Sequence, residues 1–374
     1  MRQISAPATR ANIILYGYYG CGNLGDDLLL IGALAGLRRV FPGWGFLLRD
    51  HGDHAGAEAL GPDVTFTGIE TILIDRRGAV RRWAAYFLAW WRLLGQARRL
   101  VFGGGTLFHA RGSLGLLTVQ YLICLLARLR GVRIAALGVG ISDLPTPIAR
   151  FLLRRIIGLT DLFLVRDQAG LLQCAGSKAR LTGDLVFGVE ALARTDRAAR
   201  DGKVAGLTVY PPACEEPHVV DELRESVRLL RARGWRVVFL VCQRDGVIKG
   251  DVTVFDRIAA KLKDEKPETR ATAPDAASLD QAFSDIGVMC GMRYHGLMAG
   301  AMRGIPFVGL AHDNKIAALC QQFAMPCFDA ARFSAARFAM AIDETAGRRP
   351  DPALLRQNAV AAAENFRLLA ELGP

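Results

Sequence analysis

The sequence contains no Cys-x-x-Cys pair. Its eight cysteines, at positions 21, 124, 174, 214, 242, 290, 320 and 327, are scattered singly, which argues against a zinc site and against a disulfide framework. A reducing, cytosolic setting is therefore expected. Residues 1–7 lack the apolar core of a signal peptide. The longest apolar runs, near 114–127 and 83–91, fall short of the ~20 residues that a spanning helix needs, so the chain reads as soluble. Acid is missing from one stretch altogether: residues 76–99 hold seven arginines and three of the five tryptophans but no Asp or Glu. Trp83, Phe87, Trp90 and Leu94 fall on one helical face there, with arginines beside it. That pattern suits a helix lying at the lipid interface on the inner face of a membrane, although such a face more often packs inside a protein or a homo-oligomer. No basic stretch interleaves with strand aromatics in the manner of an RNA-binding surface, so nucleic acid is not expected as a partner. Low-complexity tracts and short-period repeats are also missing.

Apolar residues and positive charge are plentiful. Apolar residues fill 51% of 374 positions, more than one ordinary core takes up, and the length suits two domains. Against 36 acidic residues stand 47 Lys and Arg, a formal +11 that favours anionic partners such as phosphorylated metabolites or lipid headgroups.

In chain order, residues 12–16 form a buried-strand pattern that enters a glycine-rich loop, Gly17 to Asp27, and then a helix over about 28–40. Gly20, Gly22 and Gly25 formally satisfy a dinucleotide-binding GxGxxG, with Asp50 ending the next strand. Asp26 and Asp27 stand where a pyrophosphate would want no negative charge, so Asn23 and Asp26 are read as sugar-hydroxyl or proton-transfer groups, or Asp26 simply as the helix cap. Residues 99–108 repeat the strand and glycine-turn pattern, with Gly103, Gly104 and Gly105 offering bare amides at a strand end. A strand at 162–167 ends in Arg166 and Asp167, and the next short strand ends in Gly183 and Asp184. Arg166 and Asp167 read either as an ion pair bracing a loop or as part of a ligand edge.

A polar stretch at 193–203 reads as a linker, after which the strand–helix pattern restarts. The expected division is an N-terminal Rossmann-like domain over 1–196, a C-terminal one over 203–345 and a C-terminal helix over 346–374. The expected fold class is α/β, with two Rossmann-like domains facing across a cleft. Residues 286–310 carry the most information: apolar strand, polar loop, small-residue helix, apolar strand. Arg293, Tyr294 and His295 occupy that loop at a helix N-terminus, where a guanidinium grips a phosphate or carboxylate.

Asn23-Leu-Gly-Asp26, Gly103-Gly-Gly105, Arg166-Asp167, Gly183-Asp184, and Met292-Arg-Tyr-His295 followed by Gly304-Ile-Pro306 and Asp313-Asn-Lys315 resemble, in order and spacing, the polysaccharide pyruvyl transferase family. The resemblance runs from about residue 12 to about 330. It implies a GT-B-like fold and transfer of a pyruvyl group from phosphoenolpyruvate to sugar hydroxyls of a cell-surface glycan or its lipid-linked precursor, closing a ketal. It also implies that Arg293 and His295 are the functional Arg-x-His element, with Tyr294 where Leu is common, and that Arg166 is a second donor-binding arginine.

Such a donor needs concentrated positive charge, for which Arg293, Arg166, Lys315 and the helix N-terminus after His295 are the candidates. Proton transfer to the enol carbon suits a histidine, and His295 is the candidate donor; its blander reading is a residue that caps a helix or fills a pocket. Asp26 is the candidate base toward the acceptor, and Asn23, Gly104, Gly105, Tyr294 and Asp184 complete the expected binding set. His109 is kept as a second site candidate, while His51, His54, His218 and His312 read as surface or loop residues. The reaction asks for neither metal nor cofactor. A nucleotide-sugar glycosyltransferase of the same build, a non-catalytic sensor and an NAD-dependent dehydrogenase are the competing readings.

Overall fold

The computed structural model describes residues 12–50, 60–74, 78–110, 112–142, 144–189, 192, 202–246, 249–262 and 266–373. His51, His54, Arg76 and residues 193–201 of the expected linker lie outside the described residues. The chain divides into two compact units, one of residues 1–21, 29–188 and 358–374, the other of residues 22–28 and 189–357.

In the first unit, β1 (Asn12–Tyr19), β2 (Gly45–Asp50), β3 (Val64–Phe66), β4 (Arg99–His109), β5 (Arg133–Ser142), β6 (Leu162–Val165) and β7 (Arg180–Leu181) form a seven-stranded sheet among the described residues, ordered β3-β2-β1-β4-β5-β6-β7. Every neighbouring pair is parallel. Such strands are buried on both faces, which is why β1, β4 and β5 read as continuous apolar runs rather than alternating ones. The strand order reverses between β1 and β4, the point at which open α/β sheets bind ligands.

The connecting helices are α1 (Leu24–Val40), α2 (Ala79–Leu94), α3 (Gly115–Leu129), α4 (Pro147–Leu159) and α5 (Gln168–Gln173). One core joins Ile14, Tyr16, Leu100 and Phe102 of the sheet to Trp90, Ile123 and Leu153 of α2, α3 and α4. In α2 the buried residues are Tyr86, Trp90 and Leu94, whereas Trp83 is partly exposed and Phe87 half-buried. The helix is thus turned from its expected Trp83–Phe87 face. A polar contact accounts for this: the Tyr86 hydroxyl donates to Glu70 at 2.9 Å, and Glu70 is paired with Arg49 at 2.7 Å beneath it.

The second unit has β8 (Val204–Thr208), β9 (Arg236–Val241), β10 (Glu268–Ala271), β11 (Val288–Gly291), β12 (Phe307–Ala311) and β13 (Cys327–Asp329) in the order β10-β9-β8-β11-β12-β13, again all parallel. Its helices are α6 (Pro217–Ala232), α7 (Asp251–Ala259), α8 (Ala276–Ala282), α9 (Tyr294–Met302), α10 (Asn314–Gln322), α11 (Ala335–Thr345) and the start of α12 (Pro352–Ala370). The order reverses between β8 and β11.

Two groupings differ from the continuous division expected. Residues 22–28, the first turn of α1 included, belong with the second unit. Residues 358–374 belong with the first, because α12 is bolted there by Asn365: its side chain accepts from Thr182 at 2.9 Å and donates to the Gly183 carbonyl at 3.0 Å, all buried. Phe366 packs so closely on Gly36 that a side chain at Gly36 would overlap its ring.

Candidate functional site

β11 ends at Gly291, and α9 begins three residues later with Arg293 as its N-cap. The Arg293 side chain makes no cap bond to α9 and is turned elsewhere. By contrast, Asp313 caps α10, accepting from the amides of Lys315 at 3.1 Å and Ile316 at 3.4 Å. The helix N-terminus beside β11 is that of α9.

The Arg293 guanidinium is held on two sides. Nε donates to the Val209 carbonyl at 2.8 Å, and Nη2 pairs with Asp251. Asp251 is fully buried at the start of α7, and its other carboxylate oxygen accepts from the amides of Cys242 and Gln243, each at 2.9 Å. Burial pushes the Asp251 carboxyl above its usual range; the guanidinium and the two amides pull it back only in part. The guanidinium carbon lies 5.3 Å from the Tyr210 ring centre, and Tyr210 stacks on His312 at 4.2 Å. His312 Nε2 is 3.7 Å from Asp313, which also pairs with Lys315 at 3.1 Å. Burial pushes the Asp313 carboxyl up, but Lys315 and His312 outweigh it and hold the group below its ordinary value. Tyr210, Arg293 and His312 follow β8, β11 and β12, so adjacent strand ends deliver them to one edge. The expected concentration of positive charge is tempered: Arg293 and Lys315 each have a carboxylate partner.

The Asn23-Leu-Gly-Asp26 segment meets this edge. Asn23 Oδ1 accepts from the amides of Gly25 at 2.8 Å and Asp26 at 3.3 Å, so Asn23 rather than Asp26 caps α1. The Asn23 side chain donates to Gln243 at 3.0 Å, and the Leu24 amide donates to the Cys242 carbonyl at 2.8 Å. Gly25 lies directly against His295: a Cβ there would overlap the imidazole at Nδ1. The ring also meets Tyr294 edge-on, 5.0 Å between centres. Asp26 is the next residue along. Structure thus brings together His295, Arg293, Tyr294, Asn23 and Asp26, with Lys315 joined through His312 and Asp313. Gly25→Ala is expected to displace the His295 ring and lower turnover at least about tenfold with little change in melting temperature, since a misplaced reacting group costs rate before it costs fold. Equal turnover in the two proteins would show that the ring position does not matter.

The remaining candidates lie in the first unit. Gly103, Gly104 and Gly105 do not form a turn. β4 runs through them to His109, paired with β5, and all three are buried. Gly104 and Gly105 have φ of 77° and 75°, and a side chain at Gly103 or Gly104 would run into Tyr19 or Leu29. Close packing, including the 2.7 Å bond from the Tyr19 hydroxyl to the Gly103 carbonyl, accounts for glycine there. The Arg166 side chain is 3% exposed, bonded to Asp184 at 2.7 Å, Thr106 at 3.1 Å and Asp167 at 3.4 Å. Asp184 is equally enclosed and also accepts from the Val186 amide at 3.1 Å. This is the geometry of a brace. His109 lies 3.3 Å from the Tyr18 hydroxyl.

Sequence reasoning missed Asp251, Gln243, Tyr210 and His312. Position was the usable signal for Tyr210 and His312, since each lies within two residues of the end of a strand on the edge that carries Arg293. Asp251 offered only a helix start.

A family model described as polysaccharide pyruvyl transferase matches residues 55–314. The chain belongs to the polysaccharide pyruvyl transferase family. The matched span takes in Gly104, Gly105, Arg166, Asp184, Arg293, Tyr294 and His295, while Asn23, Asp26 and Lys315 fall outside it. No curated protein matches by sequence. Among solved structures, this pyruvyl transferase family chain is similar to the UDP-GlcNAc 2-epimerase from Methanocaldococcus jannaschii, with TM-score 0.64 and 10% identity over 97% of this chain and 100% of that one. It is similar also to a UDP-GlcNAc 2-epimerase from Neisseria meningitidis, with TM-score 0.59 and 10% identity over 97% and 99%. Alpha,alpha-trehalose 6-phosphate synthase from Burkholderia multivorans matches with TM-score 0.55 and 12% identity over 98% and 100%. At these identities the likeness is one of fold: two parallel-sheet α/β domains of GT-B type.

Proposed function

We propose that this pyruvyl transferase takes its pyruvyl group from phosphoenolpyruvate and closes it as a ketal on two hydroxyls of a glycan or a lipid-linked glycan precursor. The observation that carries the reading is the Arg293-Tyr294-His295 run at the N-terminus of α9, beside the point where the strand order of the second unit reverses. An anionic donor suits a helix N-terminus next to a guanidinium. Arg293 is pre-set for that task by Asp251 and Val209, which fix its plane and leave its outer N–H groups for an incoming carboxylate or phosphate.

In the proposed sequence, protonated His295 gives its proton to the methylene carbon of the donor. That carbon becomes a methyl group, and positive charge develops at the neighbouring carbon. One sugar hydroxyl adds there and loses its proton, phosphate leaves with its bonding electrons, and a second hydroxyl adds to close the ring. Of the two hydroxyl protons, one restores His295 and the other is taken by Asp26 and passed to solvent or phosphate. Asp26, next to the glycine that abuts His295, is the base on the acceptor side.

The test is incubation with phosphoenolpyruvate and a panel of lipid-linked sugars, read as inorganic phosphate and as product mass. Phosphate release that requires the acceptor, with a product heavier by one pyruvate less one water, is expected. Release of a nucleoside diphosphate from a nucleotide sugar instead would overturn the reading in favour of glycosyl transfer.

A further inference from the structure

We propose that the outer faces of α2, α3 and α4 form one docking surface for an anionic phospholipid bilayer. All three helices cover the same side of the first unit's sheet, since all three contribute to the core built on Ile14, Tyr16, Leu100 and Phe102. α3 packs against both α2 and α4. Of the ten large apolar side chains exposed among the described residues, six lie on these helices: Val80, Trp83 and Leu88 on α2, Leu129 on α3, Ile148 and Phe151 on α4. Val80 is 84% exposed and Phe151 60%, so these side chains are not poorly covered core.

Charge identifies the occupant. None of the three helices contains an Asp or Glu, while Arg81, Arg92, Arg154 and Arg155 are exposed on them and form no ion pair among the described residues. The long surface helices α6 and α12 are of mixed sign: α6 pairs Arg224 with Asp221 and Arg228 with Glu225, and α12 pairs Arg367 with Glu364 and Glu371. A second copy of the chain meeting this face through a two-fold axis would set arginine against arginine with no acid to offset it. A layer of phosphate headgroups over hydrocarbon satisfies both features, with Trp83, Leu88 and Phe151 entering the boundary and the arginine stems reaching back to the phosphates. No helix among the described residues is long and apolar enough to cross a membrane, so the contact lies in the plane.

The test is flotation of the full chain with vesicles of phosphatidylcholine alone and of phosphatidylcholine mixed with phosphatidylglycerol. Binding to the mixed vesicles only, weakened by added salt, is expected. The variant Arg154→Glu/Arg155→Glu should lose at least about fivefold in partitioning per arginine. Trp83→Ser/Phe151→Ser should lose binding that raised anionic lipid does not restore. Both change exposed side chains, and an unaltered melting temperature certifies their fold. No binding to the mixed vesicles, or binding unchanged in both variants, would overturn the proposal. So would a concentration-dependent dimer that either variant dissolves, which would assign the face to a second copy.

Discussion

Asp251→Ala is expected to lower the unfolding free energy by about 3–5 kcal/mol, the cost of leaving a largely buried guanidinium without its carboxylate. Asp251 is fully buried and the Arg293 side chain is 11% exposed, so water can replace the lost partner only poorly. Two amides, those of Cys242 and Gln243, lose their acceptor in the same substitution. Asp251→Asn separates these effects. The amide oxygen still receives the two backbone N–H groups while the charge is gone and the NH2 faces Arg293, so its loss should be smaller than that of the alanine only by the worth of those two bonds. Denaturant unfolding of the three proteins checks the order. If Asp251→Ala unfolds at the wild-type midpoint with the wild-type slope, Arg293 is not held in the way described, and its pre-set role at the donor falls with it.

The second large effect is kinetic. His295→Ala should reduce kcat by about 10²–10⁴-fold, the usual worth of a positioned general acid, with the apparent KM for phosphoenolpyruvate changed by no more than about twofold. The split matters because a histidine that only fills space would leave kcat near wild type or lower stability instead. His295 packs against Gly25 and meets the ring of Tyr294, so the melting temperature has to be read beside the rate. A kcat within about threefold of wild type would remove His295 from the proton path. It would leave family membership untouched, since that rests on the match over residues 55–314.

Much of the architecture was legible because both sheets are parallel. Strands buried on two faces announce themselves as unbroken apolar runs, and residues 12–16 and the opening of 286–310 read as strands for that reason. The Arg293–His295 loop was legible because its place between a strand and a helix follows from local pattern alone. Contacts between distant residues were not. Asp251 and Arg293 are 42 residues apart, and nothing local tells which buried carboxylate a guanidinium will meet. Arg166 shows the same difficulty at shorter range: Asp167 was the visible partner, but the tighter bond goes to Asp184 from the next strand end. Gly103, Gly104 and Gly105 were read as a turn since three glycines usually break a strand. Here the sheet neighbours carry the backbone through, and the missing side chains make room for Tyr19 and Leu29.

The lock that Asn365 makes with Thr182 and Gly183 bears on the order of synthesis. Residues 358–373 emerge from the ribosome after the whole of the second unit, yet they complete the core of the first. Until then Gly36 and the Gly183 carbonyl await their partners. The half of the protein that is made first is therefore finished last.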